Sequence, residues 1–230
     1  MSSVIAIIDS RAPLPVIENL QNQFDVFLFH SEQITYEAIS CHPDIFLFQG
    51  CNRLIVAPNT PPECLSLLHD RNITFSFGKS HIGKRVDNST SYNCIETESH
   101  FFHKQGFTDH TILNSISKLV VDLPQAYTRC SMFALNQHDF ITSDKGIEKI
   151  LIQQGFNCFY CKPTSILLPP YKYGFIGGCI GMVNNRLYIT GSLDTLEDGK
   201  TLRNFIESRD IIIEELYNGN LYDAGGLFFL

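Results

Sequence analysis

Three short stretches carry residues able to do chemistry. In "GFIGGCIG" (174–181) Gly177 and Gly178 precede Cys179 at the head of an apolar run. In "AYTRCS" (126–131) Cys130 follows Tyr127 and Arg129, and in "HPDIFLFQG" (42–50) Asp44 follows a proline. A cysteine beside a fixed positive charge is the setting in which a thiolate nucleophile exists near neutral pH. A carboxylate suits a cationic substrate group. With Asn93 and Cys94 in "YNCIE" these residues make up the candidate site. Cys130 and Cys179 are the candidate nucleophiles. Asp44, Asn93, Cys94, Tyr127, Arg129, Gly177 and Gly178 are the candidate substrate-binding residues.

Other chemistry-bearing residues have plainer explanations. "CFYC" (158–161) is a lone CxxC in a β-like run, where alternation sends its two thiols to opposite faces, so buried strand cysteines are expected rather than a zinc or redox pair. His100 and His103 stand three apart on an expected strand and diverge. "SDKG" (143–146) reads as a helix cap, with an anion site at its amides as the alternative. His42, before Pro43, either lines a channel mouth or ends a loop. No metal-ligand set is assigned and no cofactor is implied.

The elements that must position these residues form a fivefold repeat. Apolar strands at 25–29, 73–77, 118–123, 157–161 and 210–216 each follow an amphipathic helix, at 13–23, 61–71, 109–117, 145–154 and 199–208. Pro13, Pro61–Pro62 and Asp144 mark helix starts, and Gly155 a helix end. Hairpins follow at 42–58, 92–105, 127–144 and 177–191, and a fifth is split between the C-terminal 223–230 and the N-terminal 4–9. Asp44, Cys94, Cys130, Cys179 and Gly226 occupy comparable positions as these hairpins begin. The expected fold is therefore α/β (α+β): a single domain over 1–230, built as a five-bladed ββαβ propeller whose N-terminal strand pairs with its C-terminal strand and closes the ring. Aligned this way, Cys94, Cys130 and Cys179 face one central channel with Asp44.

Bulk composition narrows the partners. A chain of 230 residues, 44% hydrophobic and with a net charge of −7, is an ordinary globular protein with no basic face for nucleic acid or anionic lipid. No apolar run of about 20 residues exists to span a membrane. Eight cysteines without an export signal are expected as free thiols in a reducing cytoplasm. A small-molecule ligand is the expected partner; the oligomeric state is left open, with a homodimer as the candidate assembly.

Five ββαβ units around a pseudo-fivefold axis resemble the pentein, or guanidino-modifying-enzyme, fold. More narrowly, "QAYTRCS…ITSDKGI", "LPPYKYGFIGGCIG" and "DAGGLFFL" together resemble an uncharacterised bacterial family of that fold, over nearly the whole chain. The resemblance implies a small guanidino- or amino-acid-like ligand in the central channel. It also implies hydrolase or amidinotransferase-like chemistry on C–N bonds, in which a cysteine attacks the guanidinium carbon and a histidine serves as acid and base. The chain departs from that pattern at the catalytic positions. The last repeat, where the nucleophile belongs, reads "DAGGLFFL" and has no cysteine. Tyr127 is the nearest counterpart of the histidine, and Gln49–Gly50 stand where an acidic pair follows Pro43–Asp44. Three readings of the axial cysteines are open: a reactive thiol lowered by Arg129, a soft-metal site of three thiolates, and small apolar residues fitting a crowded axis. The alternative to an enzyme is a non-catalytic binding or interaction module that keeps the ring.

Overall fold

The computed structural model describes residues 4–230. Among them, five three-stranded sheets repeat one pattern, an antiparallel pair extended by a parallel third strand. The middle strands are Ile5–Asp9, Leu54–Val56, His100–His103, Asp139–Thr142 and Arg186–Ile189. Each runs parallel to a strand reached through a helix: Asp25–Phe29, Ser76–Phe77, Leu119–Asp122, Asn157–Tyr160 and Ile212–Glu215. The helices are Leu14–Gln21, Pro62–Asp70, His110–Ser115, Lys145–Gln153 and Gly199–Glu207. The two ends of the chain pair antiparallel, with Ile7 opposite Phe228. A sixth, two-stranded sheet joins Ile166–Leu167 to Leu221–Tyr222. The result is a mixed α/β fold of small sheets. No helix among the described residues is long and apolar enough to cross a membrane.

Burial explains the strand compositions. Ile5–Asp9 is buried along its whole length, and a strand covered on both faces reads as a continuous apolar run rather than an alternating one. The parallel partner Leu119–Asp122 buries only Val121, because it stands at the sheet's outer edge. The helix Lys145–Gln153 shows how the connectors are specified. Asp144 accepts a hydrogen bond from the Ile147 amide at 2.9 Å, satisfying a first-turn N–H. Ile147 and Leu151, one turn apart, face the core while Lys145 and Lys149 face water. Gly155 closes the helix at φ +84°. "SDKG" is thus a helix start.

Asp109 does more than cap. It accepts from Thr111 (2.7 Å) at its own helix and from the amides of Lys79 (2.9 Å) and Ser80 (2.6 Å), so it ties two loops together. Burial pushes this carboxyl up, but the Ser80, Thr111 and Lys79 donors hold it below its ordinary value. A lowered folded value means stability that is present above the ordinary carboxylate range and lost as pH falls through the folded value. Asp109→Ala is expected to cost about 1–2 kcal/mol at neutral pH in urea denaturation and to flatten the acid limb of the stability profile. An unchanged acid limb would contradict this assignment.

One local feature differs from the expected hairpins. The segments expected to enter directly as strands begin instead with helical turns, at Pro43–Phe46, Thr128–Ser131 and Ile176–Cys179. Successive side chains on such a turn diverge by roughly 100° rather than alternating. That decides which cysteine meets which partner.

Candidate active site

The residues preceding the hairpin strands meet one another. Cys130 Sγ donates to Asp44 Oδ2 at 2.9 Å. Asn93 clamps the pair: its Oδ1 accepts from the Cys130 amide (3.1 Å), and its Nδ2 lies 3.2 Å from Cys130 Sγ and 3.3 Å from the Asp44 carbonyl. Asp44, Asn93 and Cys130 are thus brought together. Arg129 turns the other way, donating to the carbonyls of Gly177 (2.5 Å) and Ile180 (3.0 Å), with its guanidinium over Phe133 and Phe228.

Cys94 and Cys179 make no hydrogen bond to this cluster, and Cys94 and Cys130 line different cavities. Cys179 packs in the apolar core with Sγ directed to the Phe175 carbonyl, and Cys94 packs in another core cluster with Sγ toward the Tyr92 carbonyl. The cause is a one-residue offset. Cys94 and Cys179 immediately precede their strands, Ile95–Glu96 and Ile180–Val183, whereas Ser131 intervenes between Cys130 and Met132–Ala134. Between Cys179, last in its helical turn, and Cys130, third of four in its own, that step rotates the thiol out of the core and toward Asp44.

The two glycines are explained by close approach. A Cβ on Gly177 would meet the carbonyl oxygens of Arg129, Cys130 and Met132, and one on Gly178 would overlap the Asp223 carboxylate. The Gly178 carbonyl accepts from Ala224 and Gly226, docking the C-terminal loop. Gly178→Ala is expected to cost about 1–3 kcal/mol through this overpacking, read as a lower urea midpoint at unchanged slope. A neutral substitution would mean that Asp223 is not held where it stands.

Three further residues complete the site: His42, Asp9 and Asp223. His42 lies between the carboxylates of Asp9 (Nε2 to Oδ2, 3.6 Å) and Asp223 (Nδ1 to Oδ1, 3.8 Å), and neither ring nitrogen has a hydrogen-bond partner. Asp44 Oδ1 is likewise without one. Asp9 holds Arg11 through Nε (3.0 Å) and Nη2 (2.7 Å), and Asp223 accepts from the amides of Phe175 (2.8 Å) and Gly225 (3.1 Å). His42, Asp9, Asp44, Cys130 and Asp223 are each at most 2% exposed. "IIDSR" and "DAGG" carry Asp9, Arg11 and Asp223, but sequence reading passes over them. Their only signal is an acid at the end of an apolar strand or before a glycine pair.

Above His42, Cys130 and Asp223 opens a cavity of about 500 Å³. Its walls include Tyr36, Tyr127, Tyr171 and Tyr173. Tyr127 hydroxyl bonds to Tyr36 (2.6 Å) and Ser89 (2.7 Å), which fixes the rim. Arg129 and Cys94 line a separate cavity of about 420 Å³ with Glu96.

Burial shifts each titratable group of the unliganded cluster toward its neutral form. Burial pushes Asp44 up to about 6 against the pull of Arg129. Burial also raises Asp223 to about 6, against His42. Burial lowers His42, outweighing Asp223 and Asp9, so its imidazole is neutral at neutral pH. The Cys130 thiol is pushed well up by burial and then by Asp44 and Asp223, the reverse of the depression expected from Arg129. His42, Asp44 and Cys130 each offer a ligand atom, all within 4.8 Å of one another.

The chain belongs to a family of unknown function, DUF6873, whose model matches residues 7–228. No curated protein matches it by sequence. Among solved structures it is similar to DDAH from Pseudomonas aeruginosa, in a cysteine-to-serine mutant complexed with citrulline: 12% identity, TM-score 0.54, covering 92% of this chain and 90% of that one. It is also similar to C. jejuni agmatine deiminase, at 10% identity and TM-score 0.51, covering 91% of this chain and 78% of that one. A further likeness is to a dimethylarginine dimethylaminohydrolase adduct with 4-chloro-2-hydroxymethylpyridine, at 12% identity and TM-score 0.52, covering 92% and 90%. At such identities the likeness shows the fold, and that fold is the pentein one.

Proposed function

We propose that this family member is a cytoplasmic, single-domain pentein whose five sheets close into one ring, and that it binds a small guanidinium-bearing molecule over His42, Asp44, Cys130 and Asp223. Cys130 is the nucleophile of a C–N bond hydrolysis. The ring is supported by five matching sheets and by the pairing of Ile7 with Phe228. Eight free cysteines suit a reducing compartment. The function rests above all on the 2.9 Å Cys130–Asp44 pair beside two unpartnered His42 nitrogens at the floor of a cavity.

The residues divide the reaction as follows. A bound cation draws Asp44 and Asp223 to their ionised forms and stabilises a thiolate. The Cys130 proton passes to Asp44, and the Sγ–C bond forms at the guanidinium carbon. The C–N bond to the departing amine breaks as that proton reaches its nitrogen, leaving an S-linked thiouronium. His42, neutral because it is buried, then takes a proton from water as the oxygen adds to carbon. The C–S bond breaks, and His42 returns the proton to Cys130. Compared with the superfamily pattern, the histidine stands in the first hairpin and the cysteine in the third, a rearrangement that a pseudo-symmetric ring permits.

The test is acid-quenched mass spectrometry with guanidino compounds, including agmatine and methylated arginines. The expected result is an adduct on the Cys130 peptide, with release of a ureido product. No product and no adduct, with binding retained, would establish the second reading, a binding module. That reading is favoured by one observation: the unliganded thiol is a neutral donor to Asp44. Iodoacetamide titration across pH separates the two further, since a thiolate formed only with ligand reacts only with ligand.

A further inference from the structure

From the same three side chains, and independently of the guanidino reading, we infer that His42, Asp44 and Cys130 form a mononuclear site for a borderline-soft divalent cation, zinc above all, with a fourth position open to the tyrosine-walled cavity. The donor set is the first reason. Thiol, imidazole and carboxylate together select zinc over calcium or magnesium, which take oxygen ligands. Their ligand atoms already lie within 4.8 Å of one another. Bond lengths of about 2.0–2.3 Å around a tetrahedral zinc set ligand separations of roughly 3.3–3.7 Å. The Cys130–Asp44 separation of 2.9 Å, set by a shared proton, therefore widens by less than about 1 Å when zinc replaces that proton.

Unpartnered atoms are the second reason. Both His42 nitrogens and Asp44 Oδ1 are buried without a hydrogen-bond partner, and buried polar groups are ordinarily satisfied. Metal ligation satisfies one imidazole nitrogen and leaves the other beside Asp9 or Asp223, the carboxylate–histidine–metal arrangement that orients a ligand ring. Asn93 Nδ2, 3.2 Å from Sγ, supports the thiolate.

Charge is the third. Three buried acidic side chains, Asp9, Asp44 and Asp223, stand around His42 and Cys130. Acidic groups gathered out of water are stabilised by a cation among them.

The experiment uses the full chain, stripped with chelator and titrated with cobalt(II) and then zinc. A thiolate-to-cobalt charge-transfer band saturating at one metal per chain, and its loss on zinc addition, are the expected results. Cys130→Ser should abolish the band. Asp44→Asn and His42→Gln should weaken binding at least about 10-fold, and Cys179→Ser should leave it intact. Where a variant does not fold, X-ray absorption on the zinc-loaded wild type decides. One sulfur with nitrogen and oxygen neighbours supports the site, and two or more sulfurs overturn it. Absence of the band in the wild type, or its persistence in Cys130→Ser, also overturns it. Guanidino titrations run in chelator keep the two readings separable, because either can fail while the other stands.

Discussion

Cys130→Ser is expected to abolish turnover of guanidino compounds, by a factor on the order of 10⁴–10⁶, as loss of a covalent nucleophile does. The same variant should fold, because serine keeps an O–H donor for Asp44 Oδ2, where the thiol now stands at 2.9 Å. Cys130→Ala makes the complementary point. It leaves a buried Asp44 without that donor and should cost about 1–3 kcal/mol as well as activity. Cys179→Ser separates position from composition. Cys179 packs among Ile176, Ile180 and Leu193 with its sulfur toward the Phe175 carbonyl, so this change should affect stability and leave kcat unaltered. Equal loss of turnover in Cys179→Ser and Cys130→Ser would refute the assignment of the nucleophile.

Arg129→Met is expected to have the largest effect on stability, about 3–5 kcal/mol and a fall in Tm of roughly 6–20 °C for a chain of this size. The guanidinium is the cation that pulls the buried Asp44 carboxyl back down, and it ties the turn Thr128–Ser131 to the carbonyls of Gly177 and Ile180. Methionine fills the space between Phe133 and Phe228 but leaves two carbonyls unpaired and one carboxylate uncompensated. Arg129→Lys keeps the charge without the fork and should recover part of the loss. A cost below about 1 kcal/mol would show that Asp44 is carried as the neutral acid and needs no counter-charge.

Much of the architecture was legible in the residues. Apolar runs spaced after capped amphipathic helices locate all five parallel strands, and the apolar terminal segments anticipate the pairing of Ala6 with Phe229. Those signals are local: periodicity, caps and turn residues act over a few positions, and each helix boundary falls within two residues of its expected place. The site was legible only in part. Asp44 and Cys130 are neighbours across 86 residues of chain, as their comparable positions at the start of two hairpins suggest, and Asn93 stands next to the aligned Cys94. Cys94 and Cys179 looked equivalent because a repeat aligned to within one residue cannot separate the core side of a helical turn from its polar side.

His42, Asp9 and Asp223 mark the remaining boundary. Each sits beside a proline, a strand end or a glycine pair, features that local structure explains without chemistry. Their meaning comes from being packed together away from water, with His42 3.6 Å from Asp9 and 3.8 Å from Asp223. Composition and spacing specify the units, the connections and the family resemblance, because those depend on propensity and pattern. The side chains that share the buried floor of the cavity, and the protons they hold there, depend on distances between units and on the desolvation that packing imposes. Neither quantity is written at any single position of the chain.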